Sequence, residues 1–161
     1  MIGKTFLKGN YDEIDYFNTA VWCNESGAAY IEDKGDFFEV VAIPAPSLEE
    51  VKAEKIAALK AERDRLEVEE ITVDGFTYDY DDKARERINN AIIALQASGG
   101  SIYWTMADNQ SKKVTAADLI AVVSAVAARS NALHIAYRDA KEAVSLAETV
   151  EEVKAVSLEV E

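Results

Sequence analysis

Two prolines and one helix cap divide this chain. Pro44 and Pro46 are its only prolines, and they directly precede Ser47–Glu70, SLEEVKAEKIAALKAERDRLEVEE. Proline holds the incoming backbone extended and cannot enter a helix interior. Ser47 then offers a hydroxyl to the N–H of Glu50, whose carboxylate can reach back, which is a capping box. Glu49 and Glu50 also sit where the helix dipole favours negative charge. The spacing therefore predicts a helix from Ser47 that divides two unlike halves. Its apolar positions form only a weak heptad, and its dense charges of both signs predict an exposed rod or hinge. Lys60–Asp64, Arg63–Glu67 and Arg65–Glu69 are the i,i+4 pairs expected on it.

Upstream, the sequence is aromatic and punctuated by glycine. Ile2–Lys8, Ala20–Cys23, Ala28–Glu32 and Asp36–Ile43 read as strands, the last two as an antiparallel hairpin turning at Gly35. Asn10–Asn18 reads as a loop with anchored aromatics. About 43 residues of this kind make a thin core, so the head needs something to lean on. Tyr16, Phe17, Trp22, Tyr30, Phe37 and Phe38 are the candidate partner-binding residues, because aromatics are enriched at interface hot spots. The alternative is that such aromatics make the head's own core.

Downstream, Ile71–Tyr78 is the clearest local signal. Asp74-Gly75 between alternating apolar residues predicts a two-residue hairpin. Asp81 or Asp82 caps a helix to about Ser98, with a stripe of Ala84, Ile88, Ala91, Ile92 and Leu95. Tyr103-Trp104 and Lys113-Val114 are candidates for a second short pairing. Thr115 caps a long helix running close to Ala147, and Thr149 with Glu152 caps a short one. Ser157–Glu161 reads as a frayed acidic tail. The fold class is α+β: 1–46 a β-rich head, 47–70 a connecting helix, and 71–161 a mainly helical C-terminal domain with a short hairpin.

Charge and cysteine usage narrow the function. Thirty acidic residues against seventeen basic ones leave a net charge of −13, which argues against nucleic acid and anionic membranes as partners. Cys23 is alone, so no internal disulfide can form, and a small buried hydrophobe is the expected role. No export segment is read, and no apolar run approaches the roughly 20 residues of a membrane span. A lone histidine, His134, weakens every His-dependent scheme, and no phosphate loop, dinucleotide pattern or Cys pair is present. Tyr78-Asp79-Tyr80-Asp81-Asp82 resembles half a calcium loop without its central glycine and terminal Glu. The expectation is no catalytic residue, no cofactor, no metal and no enzyme. A small-molecule enzyme would need a polar pocket around Trp104, Asn109, His134 and Tyr137.

One ordered set of motifs resembles a known family. A Val-Asp-Gly-Phe hairpin leads into Asp-Asp-Lys-Ala-Arg-Glu-Arg-Ile. Trp104-Thr105-Met106-Ala107-Asp108-Asn109, Val114-Thr115-Ala116-Ala117-Asp118-Leu119, His134 with Tyr137-Arg138, and Thr149-Val150-Glu151-Glu152-Val153 follow. Over Ala61–Val156 this resembles an uncharacterised domain near the C-termini of bacteriophage tail-fibre and tail-fibre assembly proteins. The layout ahead of it, a short β-rich head and a Lys/Glu/Ala helix after P-x-P-S-x-E-E, is similar to tail-fibre assembly chaperones. The resemblance implies a chaperone in the bacterial host cytoplasm. Its partner would be the phage tail-fibre protein, gripped at the distal tip and helped to fold, trimerise or attach. It also leaves room for a homo-oligomer. The alternative is a structural component of the tail fibre or baseplate.

Overall fold

The computed structural model describes residues 1–160. The chain is α+β and forms two compact units, one spanning Met1–Pro46 and the other beginning at Ser47.

The first unit is a three-stranded antiparallel sheet with one helix. Strands β1 (Thr5–Leu7), β2 (Ala29–Asp33) and β3 (Phe37–Ala42) lie in the order β1-β3-β2, with α1 (Glu13–Ser26) between β1 and β2 in sequence. The predicted hairpin forms, with Ile31 opposite Val40, and Gly35 takes φ 90° in its turn. Residues Asn10–Cys23 depart from the expectation. The loop and the strand at Ala20–Cys23 are instead parts of α1. Asp12 caps it by accepting from the N–H groups of Ile14 and Asp15, and Gly27 closes it in the left-handed conformation. Tyr16, Thr19 and Cys23 recur at helical spacing and pack inward. That packing outweighs the strand propensity of Val21 and Trp22.

The second unit is built on α4 (Ala116–Leu146), 31 residues and about 46 Å long at ~1.5 Å per residue. Its N-terminal half packs with β4 (Ile71–Val73), β5 (Phe76–Tyr78), α3 (Asp82–Ser98), β6 (Ile102–Thr105) and β7 (Ser111–Val114) around Ile88, Trp104, Val114, Leu119 and Val122. Its C-terminal half packs with α2 (Leu48–Glu67) and α5 (Val150–Ala155) around Val51, Leu59, Val144 and Val153. Asp74 and Gly75 take φ 51° and 77° in the β4–β5 turn, and Tyr103 faces Lys113 across β6–β7, both as expected. Asp81 caps α3, and all three capping boxes close, at Ser47–Glu50, Thr115–Asp118 and Thr149–Glu152.

Helix α2 corrects the reading of residues 47–70 as an exposed rod. It lies antiparallel along α4, because Lys52 reaches Ser145 near one end of α4 while Glu67 meets Ser130 and His134 further back. The lysines that spoil its heptad are used at its edges. Lys52 Nζ donates to the Ser145 carbonyl and Lys55 Nζ to the Lys154 carbonyl, each 3.0 Å, at the C-terminal ends of α4 and α5. Their stems cover apolar surface while their charges meet the negative poles of those helices. Arg63 turns to Asp64 and stacks on Tyr137 rather than pairing with Glu67. Lys60–Asp64 and Arg65–Glu69 form as predicted. Arg129 donates to the carbonyls of Glu67 and Glu70, tying the end of α2 to α4. The tail is also corrected in part: Val156 and Leu158 pack against the α2–α4–α5 cluster, while Glu161 lies outside the described residues.

Arg129→Ala leaves helix-end carbonyls without donors and is expected to cost about 1–3 kcal/mol in denaturant unfolding. Arg138→Ala, which loses only an exposed pair with Asp139, is expected to stay within about 0.5 kcal/mol. The Thr115 N–H, and then its hydroxyl, hold the Asp118 carboxyl below its ordinary 3.8. A carboxyl depressed in the folded state contributes its stability above the unfolded value and loses it as pH falls through the folded one. The Tm gap between the native chain and Asp118→Asn is therefore expected to be constant above about pH 5 and to close as the pH drops below about 4.

Candidate functional site

The first unit keeps its apolar surface poorly covered. In β-structure, residues directly opposite share a face. Phe6, Phe38, Val40, Ile31 and Ala29 therefore face α1 and make the unit's core with Cys23. The same register puts Leu7 opposite Phe37 and Tyr30 opposite Val41 on the other face. No element of this unit packs over that second face. Leu7 is 55% and Tyr30 44% exposed, and Phe37 and Val41 are half-buried. On α1, Ile14 and Phe17 are 73% and 66% exposed and, with half-buried Val21, recur at i, i+3, i+7 off the packed face.

The six aromatics singled out from sequence divide between these settings. The Tyr16 and Phe38 rings lie tilted to one another 5.4 Å apart, and Tyr16 lies 5.2 Å from both Phe6 and Tyr11. Trp22 packs against the same cluster. Tyr30 and Phe37 share the open face, which answers the adjacency of Phe37 and Phe38 by sending one to each side. Phe17 stands on the exposed stripe of α1. Leu7, Ile14 and Val41 were missed, because a search for aromatics passes over aliphatic neighbours. Ile14 also becomes meaningful only once Asn10–Cys23 is read as a helix.

Charge frames these surfaces. Met1–Pro46 carries eight carboxylates against three lysines, Lys4, Lys8 and Lys34. Each lysine pairs within the unit, with Asp15, Asp33 and Glu32 respectively. Lys8 also lies over the Phe38 ring, and its hydrogen bond, with the Gly35 N–H, holds the Asp33 carboxyl below its usual range. Glu39 and Glu32, opposite one another, lie on the open face. The free charge around the apolar surface is negative.

Trp104 and Asn109 lie apart from His134 and Tyr137, which face the end of α2. Trp104 sits in the β4–β7/α3 cluster under Arg87, Tyr137 packs in the α2–α5 cluster, and Asn109 holds the β6–β7 turn at φ 63°. His134 is exposed, its Nε2 3.2 Å from Glu67 Oε1. Cys23 is buried and free. Among the described residues no group of His, Cys, Asp and Glu is arranged to hold a metal ion. A groove of about 650 Å³ runs beside α4, lined by Asn131, Ile135 and Asp139 against Ala155, Val156 and Glu159. Helix α4 is long and apolar enough by length and composition to cross a membrane. The sequence reading found no apolar run of that length and so passed over this helix. Its buried face is the core of the second unit, a setting in which a core helix of a soluble protein meets the same test.

Residues 50–157 match the family described as Domain of unknown function (DUF4376). The chain belongs to this family. No curated protein and no solved structure matched it. The DUF4376 segment begins in the first turn of α2 and ends beyond α5, so it takes in nearly all of the second unit and none of the first. The open sheet face lies outside the DUF4376 domain.

Phe6→Ala is expected to destabilise the first unit by about 3–5 kcal/mol, read as labelling of the Cys23 thiol at least about a hundredfold faster. Phe17→Ser and Tyr30→Ser are expected to leave that labelling rate within about threefold, since exposed substitutions stay near ±0.5 kcal/mol.

Proposed function

We propose that this protein is a bacteriophage tail-fibre assembly chaperone. It acts in the host cytoplasm and holds the fibre, at its distal tip, through the N-terminal unit. The observation that carries the reading is the open face of the three-stranded sheet. Leu7, Tyr30, Phe37 and Val41 present apolar surface there, in a unit whose core cluster contains only four buried apolar side chains. The resemblance of the ordered motifs to those of tail-fibre and tail-fibre assembly proteins supports the same reading.

The unit's net negative charge, with all three lysines already paired, favours a client surface that is apolar at its centre and basic at its rim. The outer edge of β2 pairs with nothing among the described residues, so an extended client segment could add to it by strand pairing. Aromatic and aliphatic side chains would then fix which segment binds. No step of this role makes or breaks a covalent bond, so the reading is of a binding protein and not an enzyme. The DUF4376 unit serves as the scaffold that carries the binding unit.

Co-expression with a tail-fibre gene from the same genome tests the proposal. Fibre made without this protein is expected to be insoluble or not trimeric, and Tyr30→Ser with Phe37→Ser is expected to reproduce that defect. Soluble, trimeric fibre in equal yield without it would sink the proposal. Recovery of the protein in purified particles would favour a structural component of the fibre or baseplate.

A further inference from the structure

The segment after α5 lies on the second unit as a strap. Val156 ends the helix and turns extended, at ψ 136°. The chain then follows the seam where α2 lies along α4. Val156 and Leu158 are half-buried against the α2–α4–α5 cluster, while Ser157, Glu159 and Val160 are exposed. Among the described residues no backbone hydrogen bond anchors 157–160. Two apolar side chains hold the strap in place.

A groove stays open on each side of it. One, of about 650 Å³, separates it from α4 over Ala136, Ala140 and Ala143. The other, of about 350 Å³, separates it from α2 beside Leu59 and Leu66. Leu158 lines only the α2 side and Glu159 only the α4 side, which is the alternation of an extended chain. Ser157 lines both. The strap is therefore apolar toward α2 and polar toward α4, where it meets an alanine floor and leaves the larger volume unfilled. It fits the seam in backbone shape and fills it poorly in side chains.

We infer that this seam is a binding site for an extended, uncharged apolar segment of another protein, and that residues 156–160 occupy it in cis until displaced. The occupant's conformation is set by the strap already seated there and by length. The open stretch runs from Lys55 to Leu66 on α2 and from Ala143 to Asn131 on α4, roughly 17 Å along either helix at ~1.5 Å per residue. Five extended residues at ~3.3 Å each span the same distance. Its polarity is set by the rims, whose charges are already used: Glu62 pairs with Arg65, Asp139 with Arg138, and Lys55 donates to the Lys154 carbonyl. No free cation remains to draw an acidic ligand. A segment with a large apolar side chain where Ser157 stands would take apolar surface out of water that the strap leaves wet. A second copy of the chain brings only the same serine and glutamate. The inference concerns the second unit alone and holds whether or not the first unit grips a fibre.

Fluorescence anisotropy with fluorescein-labelled Val-Phe-Leu-Gln-Val tests it. This is the sequence of residues 156–160 with Phe in place of the serine and Gln in place of the glutamate. Leu158→Ser, made in the full chain, loosens the strap and is expected to bind the peptide at least tenfold more tightly than the native chain, because the competitor in cis is weakened. The same peptide with serine at its Phe and Leu positions is expected to bind neither chain. Ala143 is exposed and lines the α4 groove, so Ala143→Phe added to Leu158→Ser is expected to abolish binding with the thermal melt kept. Equal affinity for the native and Leu158→Ser chains, no binding to either, or binding that survives Ala143→Phe would overturn the proposal. Loss of a cooperative melt in Leu158→Ser would overturn it too, because the strap would then be part of the unit's core.

Discussion

Burial of one face of α4 is the constraint on which the second unit depends. A helix of 31 residues cannot hide its apolar stripe behind one small partner, so two different clusters share it. Residues near Leu119 and Val122 are covered by α3 and the two hairpins, and those near Val144 by α2 and α5. Leu133, between them along the helix, packs in neither cluster and is still only 1% exposed. The hairpins and α5 are too short to be stable alone. They persist because α4 gives each a surface.

Long basic side chains join these parts at low desolvation cost. Lys52, Lys55 and Arg129 lay their stems along the helices and donate to carbonyls at the ends of α4, α5 and α2. Helix ends expose acceptors that must be satisfied somewhere, and a cation there also meets the negative pole of the helix. A sequence that looks like a solvated, salt-bridged rod is thereby a docked helix. The first unit has no equivalent framework. Its sheet is covered on one side by α1, and its exposed aliphatic and aromatic side chains are out of proportion to its size. Eight of the seventeen large hydrophobics exposed among the described residues lie within its 46 positions.

Local chemistry made much of this legible. Asp74-Gly75 can do little but turn a hairpin, and Ser47–Glu50, Thr115–Asp118 and Thr149–Glu152 mark helix starts by reciprocal hydrogen bonds. Where the outcome depended on distant partners, the sequence was a weaker guide. Val21 and Trp22 favour strands in isolation, yet Tyr16, Thr19 and Cys23 decide for a helix because β3 and β1 lie beneath them. Asp12 and Gly27 cap α1 at its two ends, and neither was read as a helix cap from the sequence. Which aromatics would be covered could not be read either, because the assignment of Phe37 and Phe38 to opposite faces follows from pairing with β1 and β2.

The central claim is that a well-packed unit built on α4 carries a thin unit that keeps apolar surface available. Hydrogen exchange of the full chain under native conditions, followed across low denaturant, tests it most directly. The account predicts that amides on the buried face of α4, from Val122 to Val144, exchange slowest, and that Val40 in β3 exchanges through a separate opening of lower free energy. Equal protection at Val40 and Val122 with the same denaturant dependence would contradict it, because the whole chain would then open as one cooperative body.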